Sequence, residues 1–221
     1  MSAHHDEKND GAASDLTFHI RPVKPQDGEA VFDILQRGVQ QLLDPTRDET
    51  SSLGKVQSMV TKASKAIPNI LFLVAERSVP LSSGKARSEG PKAMQSPNHD
   101  LLGCAMLTPF ARSLSQNHRP RSCYDRTASM VITLLHGASL DVEDHRRLTG
   151  ALVREVLTLT KERGFQYKTI VSDFMFREDL QSTQGHIYAL QEEGFRVAGM
   201  LEEVIEKDGV LSNIITLQGN V

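Results

Sequence analysis

The sequence predicts an α/β (α+β) fold, a mixed, mostly antiparallel twisted sheet with helices on both faces. Three observations lead there. Apolar runs of strand length alternate with segments whose apolar residues recur every three or four positions. The runs "NILFLVAER" and "LLGCAMLTPF" flank a long insertion, so they pair as antiparallel neighbours. The 221 residues, 39% hydrophobic, suit one core with appendages.

Residues 1–15 carry almost no large apolar side chain and have the composition of a disordered tail. "FHIRPV" is a short strand. In "KPQDGEAVFDILQRGVQQLL", Val31, Ile34, Leu35 and Val39 recur at helical spacing, and Asp27 or a neighbour starts the helix. A second helix spans 51–65, with Pro68 ending what precedes it. The Ser-, Pro-, Gly- and Lys-rich stretch at 78–100 is an insertion within a hairpin. "ASMVITLLHGASLDV" supplies one long bent strand or two short ones, with Gly137 at the bend. From Arg147 to Arg163 a helix aligns Leu148, Leu152, Val156 and Leu159 on one face, and Gly164 caps its basic last turn. A strand "YKTIVSDF", a helix around "TQGHIYALQEE", and strands "GFRVAGMLEEVIEK" and "VLSNIITLQ" joined at Lys-Asp-Gly complete a single domain over 16–221.

A formal net charge of −3 provides no chain-wide basic field for nucleic acid or an anionic membrane. Cys104 and Cys123 do not make a disulfide framework, which points to a reducing compartment. No apolar stretch approaches the roughly 18 residues of a membrane span, and the polar N-terminus lacks a signal-like core. The expected location is the cytoplasm, with the nucleus left open. No His, Cys and carboxylate spacing suggests a metal site, and there is no nucleophile elbow or Walker loop.

The element order, read with "TGALVREVLTLTKERGF" and "YALQEEGFRVAGMLEEV", resembles the GCN5-related N-acetyltransferase (GNAT) superfamily from "IRPVKPQDGEAVFDIL" to the last strand. "EEGFRVAGMLEEVIEKDGVLSNIITLQ" is most similar to the phosphinothricin and amino-acid N-acetyltransferase branch, and "RPRSCYDRTAS" is similar to the segment before its central strand. The resemblance implies transfer of an acetyl group from acetyl-CoA to a primary amine of a small molecule, an amino acid or an analogue. It implies no nucleic-acid or membrane partner and allows a homodimer. Two rival readings stand beside it: a catalytically degenerate GNAT-fold binding or regulatory module, and a protein or peptide N-acetyltransferase.

In that family the CoA pyrophosphate rests on a Gln/Arg-x-x-Gly-x-Gly/Ala turn, where backbone N–H groups and a helix N-terminus face the anion. "HRRLTGA" stands at that place here, with Gly150 at the first glycine and Leu152 at the second small position. The resemblance therefore assigns the pyrophosphate to Arg147, Leu148, Thr149, Gly150 and Ala151, with Arg146 and His145 beside them. It assigns the pantetheine arm to a strand containing Ser139, Leu140 and Val142. Thr183 stands near the asparagine that often begins the following helix.

An alkylamine with a pKa of about 10.4 is only about one part in a thousand neutral at pH 7, a deficit on the order of 4 kcal/mol, so a general base is useful. The family's glutamate falls near Ser129, which leaves Asp173 and His136 as candidate bases. The family's tyrosine acid falls at Leu190, and Tyr188 lies two positions away, roughly 200° around the helix. The catalytic expectations are Tyr188 and Asp173. An open cleft around residues 139–142 and 169–174 would favour the enzyme, and a cleft plugged by Leu148 or Phe174 the module.

Overall fold

The computed structural model describes residues 16–38, 52–65, 70–78, 101–109, 126–135, 140–176, 181–207 and 210–221. The tail at 1–15, nearly all of the 78–100 insertion, Pro68, His136, Gly137 and Ser139 lie outside the described residues. The element order agrees with the one the sequence predicts: β1 (Phe18–Pro22), α1 (Gly28–Gly38), α2 (Leu53–Ser64), β2 (Leu71–Arg77), β3 (Leu101–Pro109), β4 (Thr127–Leu134), α3 (Val142–Glu162), β5 (Thr169–Phe176), α4 (Gln181–Glu192), β6 (Arg196–Lys207) and β7 (Val210–Asn220).

The seven strands form one sheet in the order β1-β2-β3-β4-β5-β7-β6. Neighbours are antiparallel except β4 and β5. Both faces of β2 are covered, which explains why its sequence runs apolar without alternation. Phe72 and Val74 pack with Val31, Ile34, Val56 and Val60 of α1 and α2. Leu71, Leu73 and Ala75 join the larger core with Leu148, Leu152 and Val156 of α3 and Leu190 of α4. Helices thus sit on opposite faces.

At the start of α1, Asp27 closes a short 3-10 turn and is held by Arg21 through two hydrogen bonds of 2.7 and 3.0 Å. Its Oδ2 also accepts the Lys24 N–H at 2.7 Å. Burial pushes the Asp27 carboxyl up, but Arg21 and the Lys24 N–H prevail and hold it below its ordinary value.

Helix α3 begins at Val142 rather than Arg147. The cause is local: Asp141 is its N-cap, and its carboxylate accepts the Asp144 N–H at 2.7 Å. Glu143 and Asp144 in the first turn suit the positive end of the helix dipole. For Leu140 and Val142 the expected strand is corrected accordingly, because Leu140 precedes the cap and Val142 is the first helical residue. β4 ends at Leu134.

Helices α3 and α4 end by the same device. Gly164 (φ 65°) and Gly194 (φ 88°) take the left-handed conformation, and Phe165 and Phe195 donate their N–H groups to Thr160 O and Leu190 O, both at 3.0 Å. The ring of Phe195 then covers β7 at Gly219, where a Cβ would lie 2.8 Å from it.

Candidate active site

The candidate site lies at the one parallel pair of strands among the described residues. β4 and β5 pair over Thr127–Ser129 and Thr169–Val171 only, although each continues beyond that segment. Where they begin to part, Ser172 Oγ donates to Met130 O at 2.8 Å. Beside this opening lie the first turns of α3 and the body of α4. Leu148 and Phe174, both buried, belong to the core on that face.

Arg147, Leu148, Thr149, Gly150 and Ala151 lie inside α3, past its first turn. Their N–H groups therefore fall beyond the helix start, where unpaired donors gather. This corrects the expected phosphate turn: that stretch is helix, and Leu148, Thr149 and Gly150 are buried. The cations beside it face carboxylates. Arg146 donates to Glu192 of α4, with Nε at 3.1 Å, and to Glu143 at 3.3 Å. Glu192 holds the Arg146 guanidinium above its ordinary pKa, and Arg146 in turn depresses Glu192. Arg147 lies 3.6 Å from Asp144 and reaches Leu16 O at 3.4 Å, while Arg154 contacts Glu193 at 3.1 Å.

Tyr188 is 58% exposed and lines a surface hollow of about 440 Å³ with Arg146, Gln191 and Glu192. Leu190, the family's tyrosine position, is fully buried. Asp173 accepts from Thr216 Oγ1 at 2.6 Å, on β7 directly across the ladder. Its neighbours Ser172 and Phe174 are buried toward α3 and α4, so by strand alternation Asp173 faces the other side of the sheet. The two expected catalytic side chains thus lie on opposite faces. Thr183 lies on α4, with its side chain outside the described residues.

A buried polar cluster links α3 to α4. Thr149 Oγ1 and His186 Nδ1 share a hydrogen bond of 2.7 Å, His145 meets His186 edge to face, and Phe174 stacks on it. Burial, with a smaller electrostatic contribution from His145, pushes His186 down to about 3. A histidine so poised is neutral near pH 7, with one ring N–H, and does not take up a second proton there. His145 was expected beside the phosphate as a donor, but is buried instead. The only sequence signal for His186 was its place among Ile187, Ala189 and Leu190 on the apolar side of α4.

For an anion the fit rests on two features: the helix start at Val142 and Glu143, and the guanidinium of Arg146. The ion pair of Arg146 lies at the surface, where such pairs contribute little, so a more highly charged phosphate can displace its carboxylates. The residues that could meet a diphosphate are therefore those at the mouth of α3, where the carboxylates of Asp141, Glu143 and Asp144 also stand. Among the described residues no group of His, Cys, Asp and Glu could hold a metal ion, and no helix is long and apolar enough to cross a membrane.

The chain has the fold of the GCN5-related N-acetyltransferases. Solved structures of that fold superpose over nearly its whole length. A protein provisionally named a phosphinothricin N-acetyltransferase matches with a TM-score of 0.60 at 14% identity, covering 92% of this chain and 98% of its own. The ribosomal-protein-alanine N-acetyltransferase of Brucella melitensis gives 0.59 at 16% identity, over 92% and 99%. A Salmonella typhimurium protein solved with its cofactor acetyl-CoA gives 0.60 at 14% identity, over 92% and 94%. No family model and no curated protein matches the sequence.

Proposed function

We propose that the chain is an acetyl-CoA-dependent N-acetyltransferase acting on a primary amine of a small molecule, an amino acid or analogue. The parting of β4 from β5 beside the start of α3 carries this reading. Acetyl-CoA supplies the activated acyl group: a C–N bond forms as the thioester C–S bond breaks, the amine loses a proton and the CoA sulfur gains one. In this reading Arg146, Arg147 and the first N–H groups of α3, at Val142 and Glu143, hold the pyrophosphate. Ser139 and Leu140 flank the pantetheine arm, and Thr183 lies near the cofactor at the start of α4. Tyr188, beside Arg146, donates the proton to sulfur. Asp173 receives the amine proton from the opposite face of the parted strands.

A second reading, a degenerate binding module, has its own support. The carboxylates of Asp141, Glu143 and Asp144 surround the helix end that would hold a phosphate, and Phe174 and Leu148 are core residues. Calorimetric titration with acetyl-CoA of the wild type and of an Arg146→Glu, Arg147→Glu variant separates the two. Micromolar binding that the variant loses supports the enzyme, and release of free thiol on adding amines then identifies the acceptor. No binding at millimolar acetyl-CoA sinks the enzyme reading and leaves the module.

A further inference from the structure

His186 is only 6% exposed, held between Thr149 of α3 and Phe174 of β5. Thr149 is fully buried, so the hydrogen of its hydroxyl needs an acceptor. Farther along α3, Thr160 donates back to Val156 O at 2.6 Å. Thr149 makes no such bond among the described residues, and its hydroxyl meets His186 Nδ1 at 2.7 Å instead. Thr149 therefore donates, Nδ1 accepts, and the single proton of the neutral ring sits on Nε2. Among the described residues that N–H has no hydrogen-bond acceptor. Nor is Nε2 one of the side-chain atoms shut away from solvent without a partner. A fixed, neutral donor is thus left reaching open space from an almost dry pocket.

The ring stands beside the parted strands. Phe174, on which it stacks at 5.9 Å, is the third residue of β5 beyond Val171, where pairing with β4 ends. Asp173, the preceding residue, faces the opposite side of the sheet. An amine that loses its proton to Asp173 adds to the thioester carbon from that side, and negative charge gathers on the carbonyl oxygen. A donor already in place and desolvated stabilises such an oxygen without reorganisation. A neutral imidazole suits this task, since its N–H polarises a carbonyl while its lack of charge gives it no special hold on phosphate. Within the acetyltransferase function proposed above, on which this rests, we propose that His186 Nε2–H donates a hydrogen bond to the carbonyl oxygen of the acetyl thioester, and that Thr149 is the positioning residue that fixes its tautomer. The ring keeps its proton throughout, and the hydrogen bond strengthens as the C–N bond forms.

Calorimetry on the full chain with two probes, acetyl-CoA and CoA, tests this, because only the first carries the carbonyl. His186→Leu is expected to lose roughly fivefold in affinity for acetyl-CoA while its affinity for CoA holds, the effect of about one neutral hydrogen bond. His186→Gln keeps an amide N–H and recovers the difference, whereas a merely structural role would lower both affinities together. Proton–nitrogen correlation NMR of the wild type with isotope-labelled histidine gives a second readout that needs no variant, should His186→Leu fail to fold. It is expected to show the Nε2–H tautomer at His186 and an Nε2 signal that moves with acetyl-CoA and stays with CoA. Equal loss of both probes in His186→Leu, an Nδ1–H tautomer, or an unmoved Nε2 signal in the acetyl-CoA complex overturns the donor and leaves the acetyltransferase standing. No binding of either probe by the wild type overturns both.

Discussion

His186 shows how one buried residue sets a pH dependence. Its folded pKa, about 3, lies below that of an unfolded histidine. As pH falls below about 6.5 the unfolded chain takes up a proton that the folded chain refuses, so stability is full above that value and declines toward pH 3. Between pH 8 and pH 5 the loss from this one group is about 2 kcal/mol. A His186→Asn variant is expected to be less stable than the wild type at pH 8, because the bond to Thr149 is disturbed. Its stability, measured by urea unfolding at both pH values, should fall less on acidification. An equally steep decline would show that His186 is not the group responsible. The sequence could not reveal this: Thr149 and His186 are 37 residues apart and meet only because two helices pack on the same face.

Among the elements, α3 shows where a periodic pattern succeeds and where it stops. The stripe of Leu148, Leu152 and Val156 was legible because a helix must bury one face, and all three are buried. The start was misplaced because "LDVED" reads equally well as the end of a strand, and the capping bond of Asp141 is formed only once the helix exists. Asp141→Ala should lower stability by about 1 kcal/mol, measured as a drop in melting temperature. An unchanged melt would mean that the first turn is held by something other than its cap. The glycine end of α3 was legible for a chemical reason: Gly164 adopts positive φ, which other residues rarely do, whereas Gly194, read as the start of a strand, takes the same conformation after α4. Arg146 was expected to face an anion, whereas its pairing with Glu192 belongs to the packing of α4 on α3.

At the scale of the molecule, β7 is the strand that decides whether the C-terminal half holds together. It is last in sequence but inserts between β5 and β6, pairing with Thr169–Phe176 on one side and with β6 on the other. Phe195 closes over it at Gly219. Removing residues 210–221 takes away an inner strand rather than an edge, and the truncated chain is expected to show no cooperative thermal transition by circular dichroism. A sharp melt near that of the full chain would mean that β6 can pair with β5 directly. The sequence by itself determined the type and order of the described elements, because periodicity, apolar runs and glycine ends are local properties of the chain. It also determined the antiparallel neighbours β2 and β3. Only the tertiary structure decided that β4 and β5 part after three paired residues, that Tyr188 and Asp173 face opposite sides of the sheet, and that the arginines of α3 meet carboxylates of α4. Those are relations between residues distant in the chain, fixed by how helices and strands fill one core, and no local pattern encodes them.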